Sequence, residues 1–334
     1  MLINLISIAL FSAWPNYLSI FFHCALHNPN VRFTLITNLD EHHSSWNENL
    51  GNITKPNNVI LVQYTFETIK AEIQKENLGI GADLKLSSPY KLIDYKPMYG
   101  VLFQKELIGF SHWGWCDLDI FIGDIKATYE CGYKNEDFLS YDSVNVHGPL
   151  MILRNTEFVN NFYLNMRSYP STVESFRHSR TILFDELHMP YLIKRNSSAV
   201  LKTFHNQSRN CDASGIWMWY RGEMRNSAGP CVIFHFGGGG TKLSKRYKVT
   251  EWNRAKAFFS GGYHKSGDFG YGVARGKKIQ SFSFVFTFTE SKEFVVVNTT
   301  SGEDSDISRG LRKLMDQFKS IAANFHLPNS QCAL

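Results

Sequence analysis

The sequence predicts an α/β protein in which a mostly parallel sheet is flanked by helices and a small ββα appendage follows at the C-terminal end. The apolar run at residues 2–11, rich in Ile and Leu, is typical of a central strand buried on both faces. A helical pattern and a second apolar run at 31–37 follow, and this strand–helix–strand order predicts a parallel pair. Near the other end, residues 281–288 alternate between polar and apolar, 293–298 can pair with them as a hairpin, and 306–325 have one apolar helical face.

The first half of the chain continues this alternation of strands and helices. Pro15 fits the first turn of a helix, and residues 59–62 predict a third short strand. Residues 65–76 predict a helix, and another is expected to begin near Pro97. The polar stretch at 41–57 is typical of a loop.

The second half has longer polar stretches between its elements. A helix is predicted over residues 158–166, and the apolar run at 231–236 predicts another buried strand. The glycine-rich stretch at 257–278 is typical of a loop. We therefore expect a large domain over residues 1–256 and a small α+β appendage over 257–334.

Composition limits the class of partner. The 334 residues are 43% hydrophobic and 19% charged, an ordinary globular balance with ample length for a large core. The net charge of +5 suits an anionic substrate or an anionic membrane surface, and it is too small to indicate nucleic-acid binding. Basic residues over 242–256 form either a solvated face or a surface for peripheral contact with anionic lipid.

The cysteines and the N-glycosylation sequons give conflicting indications of the cellular compartment. The six cysteines include no Cys-x-x-Cys pair, so a zinc site is not expected and a reducing, cytoplasmic compartment is favoured. The apolar start is too short to span a bilayer and lacks the layout of a signal peptide. Four Asn-x-Ser/Thr sequons, at Asn52, Asn196, Asn206 and Asn298, leave a lumenal location open.

Two carboxylates, Asp117 and Asp119, follow an aromatic-rich strand. Side chains alternate along an extended strand, so residues two apart point the same way, and like charges side by side are costly in apolar surroundings unless a cation lies between them. Oxygen ligands that leave coordination positions open suit Mg²⁺ or Mn²⁺ together with a diphosphate. The alternative is that the two aspartates only cap a turn.

Three charged residues, Lys91, Asp94 and Lys96, precede the helix predicted from Pro97. The first turn of a helix attracts anions, and two lysines strengthen that attraction, so the three residues are candidates for binding a phosphate group. The alternative is a solvated turn with a local Lys–Asp pair.

Polar side chains also follow two other apolar runs. Asn38 and Asp40 come directly after the second strand, where ligands of parallel sheets bind, so they either hold a base or ribose or start a turn. Asp185 and Glu186 come after a later apolar run. They are candidates for acting on a hydroxyl-bearing acceptor, although carboxylates are equally ordinary at a helix start.

The strand that contains His235 runs directly into four glycines, followed by Lys242. A histidine within an apolar strand is more often a core residue than a ligand. Here, however, the glycines allow a close backbone approach, and a metal-binding histidine, a glycine loop and a lysine together suit a bound diphosphate. The loop is not a Walker motif, because the Gly-Lys-Ser/Thr ending is absent.

Together, these segments resemble the GT-A type of nucleotide-sugar glycosyltransferase, and more closely a family found among capsule and surface-polysaccharide genes. The resemblance covers roughly residues 1–245. It rests on Trp14-Pro-Asn-Tyr-Leu, Asn28-Pro, Lys91-Leu-Ile-Asp-Tyr-Lys-Pro-Met-Tyr-Gly100, His112-Trp-Gly-Trp-Cys-Asp-Leu-Asp-Ile-Phe-Ile-Gly-Asp124, the Gly148 to Asn155 strand and the His235 segment. It implies a GT-A-like, Rossmann-type sheet.

The resemblance also implies a metal site and a reaction. Asp117 and Asp119 would bind Mn²⁺ or Mg²⁺ against the diphosphate of a nucleotide-sugar donor, a UDP-sugar above others, with His235 as third protein ligand. Some retaining relatives carry His-x-x-Gly-x-x-Lys for metal and phosphate. In this chain the lysine falls one residue late, at Lys242, with Thr241 in its place. The acceptor would be a glycan or a lipid-linked glycan.

Three functions remain open from the sequence. The first is a metal-dependent, DxD-type glycosyltransferase, in which Lys91, Lys96 and Lys242 add positive charge at the phosphates. The second is a metal-dependent nucleotidyltransferase or phosphotransferase that uses the same carboxylates. The third is a non-catalytic protein that binds nucleotide sugars or carbohydrates, which the 14% aromatic content also suits.

Overall fold

The computed structural model describes residues 3–15, 18–50, 54–76, 78, 80, 84–125, 136–140, 146, 148–178 and 181–196, together with the backbone of the strands between residues 201 and 300. Eight strands lie in its first 203 residues, namely β1 (Ile3–Ala9), β2 (Val31–Thr37), β3 (Val59–Gln63), β4 (His112–Cys116), β5 (Ile120–Ile122), β6 (Phe138–Ser140), β7 (Leu150–Arg154) and β8 (Leu201–Thr203).

Seven of these strands form one sheet, in the order β3-β2-β1-β4-β7-β6-β8. β1 pairs in parallel with β2 and with β4, β2 pairs in parallel with β3, and β6 pairs in parallel with β8. Only β7 runs against its neighbours β4 and β6. The predicted mostly parallel α/β sheet is therefore confirmed.

The helices lie along the chain between these strands. The α-helices that lie wholly within the described residues are α1 (Leu18–Leu26), α2 (Ser44–Leu50), α3 (Phe66–Glu76), α4 (Tyr99–Leu102), α5 (Glu157–Asn160), α6 (Pro170–Ser175) and α7 (Met189–Arg195). Pro89–Met98, Gln104–Leu107 and Phe162–Ser168 are 3-10 helices, and Phe184–His188 is a π-helical turn. Among the described helices, none is long and apolar enough to cross a membrane.

The sheet is buried on both faces. Leu5 and Ile6, neighbours on β1, belong to two different apolar clusters, because successive side chains of a strand point to opposite faces. The first cluster includes Phe21 and Phe22 of α1, and the second includes Ile69 and Ile73 of α3. Covering both faces explains the nearly continuous apolar runs that predict the central strands.

The helix α2 lies where the sequence predicted a loop, and the strand β6 lies in a stretch for which no element was predicted. Both are stabilised by contacts with residues far away in the chain. α2 lies inside the stretch 41–57. Its Trp46 is buried between Trp14 and Phe22, at ring-centroid distances of 5.4 and 5.7 Å, so tertiary packing stabilises a helix that local sequence does not favour. β6 lies in the polar stretch after Asp124, and it is held by pairing with β7 and β8.

Helix type also differs from the expectation in two places. The helix predicted from Pro97 begins earlier, as the 3-10 helix Pro89–Met98, and passes into α4. The helix predicted over 158–166 is one short α-turn, α5, followed by a 3-10 helix. Pro97 lies inside its helix and cannot donate a backbone hydrogen bond there, which favours the irregular geometry.

A second sheet of six antiparallel strands has the order β11-β10-β9-β15-β14-β13. Its strands are β9 (Trp217–Tyr220), β10 (Glu223–Asn226), β11 (Gly229–Cys231), β13 (Asp268–Arg275), β14 (Lys278–Phe288) and β15 (Phe294–Thr300). The predicted hairpin of β14 and β15 is confirmed.

β13 corrects the expected loop at 257–278. Its glycines, such as Gly270 and Gly272, hide the strand pattern, and pairing with β14 supplies the support that local propensity lacks. The helix predicted over 306–325 lies outside the described residues. The boundary predicted at 256/257 stays a prediction, and the second sheet takes strands from both sides of it.

Candidate functional site

The order of strands in the sheet reverses between β1 and β4, and such a reversal leaves a crevice at the carboxyl ends of the two strands. From β1 the chain moves outward to β2 and β3, then returns to β4 on the other side of β1. In sheets of this kind, ligands bind outside the carboxyl ends of the strands where the order reverses. Asp117 directly follows β4 at this edge, and Asn38 directly follows β2 at the same edge, because these strands are parallel.

Asp117 and Asp119 lie in a bend between β4 and β5, which corrects the expected extended-strand geometry. β4 ends at Cys116, and Leu118 is buried in the apolar core between the two half-buried aspartates. The backbone N–H of Asp117 donates to the carbonyl of Pro149 at 2.8 Å. Anchoring by Leu118 and Pro149 places both carboxylates at the end of the strand, so their orientation depends on the bend and not on strand alternation.

At this edge of the sheet, Lys96 contacts two carboxylates and a backbone carbonyl. Its ammonium lies 2.8 Å from Asp117 Oδ1 and 3.5 Å from Asp185 Oδ2, and it donates to the carbonyl of Gly148 at 2.8 Å. The residue is 6% exposed, whereas the side chain of Asp117 is 30% exposed. Lys96, Asp117 and Asp185 are called the Asp117 cluster below.

The charges of the Asp117 cluster perturb one another. Burial acts to lower the pKa of Lys96, but the carboxylates of Asp117 and Asp185 outweigh it, and the pKa lies above its ordinary value. Burial raises the pKa of Asp185 from 3.8 to about 6, against the opposing effect of Lys96 and with help from Glu186 and Asp117. Perturbed carboxyl groups of this kind are typical of functional sites.

Asp185 is also incompletely hydrogen bonded. It is 2% exposed, and its Oδ1 has no hydrogen-bond partner within the described part of the chain. Leaving a buried polar atom without a partner costs free energy, so such an atom needs an explanation. A bound hydroxyl group would supply the missing donor.

The carboxylate of Glu186 packs directly against the Cα of Gly148. A Cβ built on Gly148 would collide with the carboxylate of Glu186, so only glycine allows this approach. The carbonyl of Gly148 also accepts from Trp115 Nε1 at 2.8 Å, in addition to Lys96. The His147-Gly148-Pro149 sequence, which opens the run into β7, predicts a loop at the floor of a substrate pocket, and the contacts of Gly148 agree with that prediction.

Lys91 and Asp94 lie away from solvent. Lys91 Nζ is 2.9 Å from Asp94 Oδ2, and the two side chains are 1% and 0% exposed. Contact between Lys91 and a diphosphate would require the ammonium to leave Asp94. Of the three charged residues that precede Pro97, only Lys96 belongs to the Asp117 cluster.

Asn38 and Asp40 organise loops at the same edge. The side-chain amide of Asn38 donates to the carbonyl of Phe11 at 2.9 Å, and its oxygen accepts from the N–H of Phe11 at 3.0 Å. Asp40 Oδ1 accepts from the N–H of His42, and its carbonyl accepts from Trp14 Nε1. Binding of a base or ribose by either residue stays a prediction.

The backbone of His235 pairs close to Asp119. The strand β12 (Ile233–His235) runs antiparallel to β5, with His235 opposite Ile120, the residue that follows Asp119. The predicted run 231–236 is thus divided between β11 and β12, which belong to different sheets. Within the part of the chain whose side chains are described, which excludes that of His235, no three His, Cys, Asp or Glu residues are grouped to hold a metal ion.

The profile of a family of unknown function, DUF6625, matches residues 6–254. The chain belongs to DUF6625. This DUF6625 match includes every strand of the seven-stranded sheet except the start of β1, and it includes the whole Asp117 cluster. Lys242 and the four glycines before it also lie in the matched stretch, but outside the residues that the structure describes. No curated protein matches this DUF6625 chain.

Several solved glycosyltransferases share a remote likeness with this DUF6625 chain. The galactosyltransferase LgtC, in complex with donor and acceptor sugar analogs, is 12% identical over 79% of this chain and 97% of its own, with a TM-score of 0.40. Mouse xyloside xylosyltransferase 1 in its apo form is 8% identical over 63% and 87%, with a TM-score of 0.38. The glycosyltransferase GlyE of Streptococcus pneumoniae TIGR4 is 9% identical over 61% of this chain and only 45% of its own, with a TM-score of 0.35.

Proposed function

We propose that this protein is a metal-dependent glycosyltransferase that moves a sugar from a nucleoside-diphosphate sugar to a hydroxyl group of a glycan or another acceptor. The observation that carries the proposal is the Asp117 cluster, which lies at the switch point of a mostly parallel sheet. It contains a carboxyl group with a raised pKa, one oxygen of which has no hydrogen-bond partner among the described residues.

The donor set at the edge suits a hard divalent cation. Asp117 and Asp119 are half-buried and separated by one residue, and the backbone of His235 lies opposite the residue after Asp119. Carboxylate oxygens with an imidazole nitrogen fit Mn²⁺, and carboxylates with water and phosphate oxygens fit Mg²⁺. When bound, the ion would act as a Lewis acid that stabilises the leaving nucleoside diphosphate.

The chain's own residues would bind and orient the donor. Lys96 would add positive charge beside Asp117, near the diphosphate. Lys242 would approach the phosphates from the glycine loop. Asn38 and Asp40, at the carboxyl edge of β2, would lie toward the nucleoside.

Asp185 and Glu186 would act on the acceptor. Asp185 Oδ1 is a buried carboxylate oxygen without a hydrogen-bond partner among the described residues, and in the ionised state it can accept the proton of an acceptor hydroxyl. Glu186 is exposed beside it and would orient the acceptor. The raised pKa of Asp185 brings its proton exchange closer to neutral pH.

The direct test is turnover of a nucleotide sugar by the full chain. We expect release of free nucleoside diphosphate from one of a panel of UDP-sugars with Mn²⁺, and loss of release with EDTA. Asp117→Asn and Asp119→Asn should each lower turnover by about 10²–10³-fold, as loss of a charge-stabilising group at a transition state does. Glu174→Gln, in the exposed Arg177–Glu174 pair, is the matched control.

The products distinguish the alternatives. Release of pyrophosphate, or transfer of phosphate, would replace the proposal with a nucleotidyltransferase or phosphotransferase. Binding of the nucleotide sugar with no release would replace it with a binding protein. Full activity of the Asp117→Asn/Asp119→Asn double variant in EDTA would rule out the metal-dependent mechanism.

The acceptor and the location follow from the same proposal. A glycan or a lipid-linked glycan would supply the hydroxyl group, and a cytoplasmic enzyme would reach a lipid-linked acceptor through peripheral contact by residues 242–256. Binding of the wild-type chain to vesicles of anionic lipid, compared with a variant whose basic residues in 242–256 are replaced by Gln, tests that contact.

A further inference from the structure

A fully buried carboxylate binds the backbone just before Asp185. The N–H of Ile182 donates to both oxygens of Asp94, at 3.1 Å each, and the N–H of Phe184 donates to Oδ1 at 3.4 Å. Lys91 Nζ donates to Oδ2 at 2.9 Å. Asp94 therefore connects its own 3-10 helix to a segment 88 residues later in the chain.

The segment bound by Asp94 has an unusual backbone. Leu183, between the two donors, has φ 53° and ψ 52°, in the left-handed region. A leucine rarely adopts this conformation unless its surroundings hold it there. Backbone N–H groups on either side of such a residue converge on one anion, which here is the carboxylate of Asp94. The π-helical turn that carries Asp185 and Glu186 begins directly afterwards.

The same 3-10 helix therefore holds Asp185 at two points. Asp94 fixes the backbone on its N-terminal side, and Lys96 holds its carboxylate at 3.5 Å. Phe184 between them is buried against Phe176, at a ring-centroid distance of 5.2 Å. We propose that Asp94 is a positioning residue, whose carboxylate fixes Ile182 to Phe184 and thereby sets Asp185 in place for the acceptor hydroxyl.

This inference rests on the proposed function for the role of Asp185, and it gives the Lys91–Asp94 pair a role that involves no ligand. Lys91 would act indirectly, since its ammonium donates a hydrogen bond to the Asp94 carboxylate and orients it. A small displacement of a catalytic group can lower the rate strongly without weakening substrate binding. Loss of Asp94 should therefore lower kcat and leave the donor KM unchanged.

The test uses Asp94→Asn and a second variant that is expected to fold. Asp94→Asn leaves the ammonium of Lys91 buried without a counter-charge, so Lys91→Met combined with Asp94→Asn removes both charges. In both variants we expect faster hydrogen exchange at the amides of Ile182 and Phe184, and a kcat for sugar transfer that is lower by about 10²-fold at unchanged donor KM. Ile73→Ala, a core change in α3, is the control for a general loss of stability.

Two results would overturn the inference. One is unchanged exchange at Ile182 and Phe184 in the double variant, and the other is faster exchange with an unchanged kcat. A wild-type chain that turns over no nucleotide sugar would instead contradict the proposed function. In that event, carboxyl-carbon NMR of Asp185 decides the positioning role: its pKa should move away from about 6 in the double variant, because displacement changes both its burial and its contact with Lys96, and an unchanged pKa would contradict the inference.

Discussion

The 3-10 helix Pro89–Met98 contributes one lysine to each of two lysine–aspartate groups, and the groups differ in how much hydrogen-bonding capacity they leave unused. In the Lys91–Asp94 pair both side chains are within 1% of complete burial, and both carboxylate oxygens accept hydrogen bonds. In the Asp117 cluster, Asp117 is 30% exposed and Asp185 Oδ1 lacks a partner in the described residues. The Lys91–Asp94 pair is therefore called the closed pair, because its carboxylate is buried and fully hydrogen bonded. The Asp117 cluster is called the open cluster, because it reaches solvent and keeps an oxygen that can accept a further hydrogen bond.

The difference shows which charges suit a ligand. A buried ion pair whose carboxylate oxygens both accept hydrogen bonds has little to gain from another molecule, and breaking it leaves an uncompensated charge. An open cluster keeps unused bonding capacity, which a metal ion, a phosphate or a hydroxyl group can use. Position on the same helix therefore does not imply the same role.

Breaking the closed pair should have the largest effect on stability. Lys91→Ala leaves Asp94 buried without its counter-charge, and we expect a loss of about 3–5 kcal/mol in the free energy of unfolding, measured in urea at pH 7. Lys96→Ala should cost less, because Asp117 reaches water and Asp185 can take up a proton.

The ranking of these two variants is the critical measurement. Equal losses, or a larger loss for Lys96→Ala, would mean that the open cluster is as much a structural device as the closed pair. Lys70→Ala, in the exposed Lys70–Glu67 pair, should change stability by less than about 1 kcal/mol and serves as the control.

Asp185 should make stability and activity depend on pH in opposite directions. Its pKa is raised from 3.8 to about 6, so in this interval the folded state holds more protons than the unfolded state, and stability falls as pH rises through it. The difference amounts to about 3 kcal/mol, fully developed above pH 6. Activity should rise over the same interval, because only ionised Asp185 accepts a proton.

Asp185→Asn separates these contributions. The variant should lose the fall in stability between pH 4 and 6 and should be more stable than wild type at pH 7, while its transfer activity is strongly reduced. Urea unfolding at a series of pH values measures the first effect. If the fall in stability between pH 4 and 6 persists unchanged in Asp185→Asn, the pH dependence belongs to another group.

Local sequence patterns predicted the sheet better than they predicted the site. The apolar run of β1 and the Asp-x-Asp after β4 are short-range signals, and parallel pairing then brings Asp117 and Asn38 to one edge. The contact of Lys96 with Asp185 joins residues far apart in the chain, and no local pattern encodes it. For the same reason the sequence could not distinguish Lys91 from Lys96, since both lysines are buried and tertiary packing decides which carboxylates each one contacts.

Of the variants considered, Gly148→Ala should have the smallest effect on stability, and it tests the role of Glu186 in the open cluster. The added Cβ collides with the carboxylate of Glu186, but Glu186 is exposed and can swing into solvent, so we expect a change in unfolding free energy of less than about 1 kcal/mol. The carbonyl of Gly148 should still accept from Lys96 and Trp115. If Glu186 orients the acceptor, the variant should raise the acceptor KM at unchanged donor KM. In a double-mutant cycle with Glu186→Ala, the two changes should then be non-additive, because both remove the same carboxylate from the same place, whereas full additivity would separate Gly148 from Glu186.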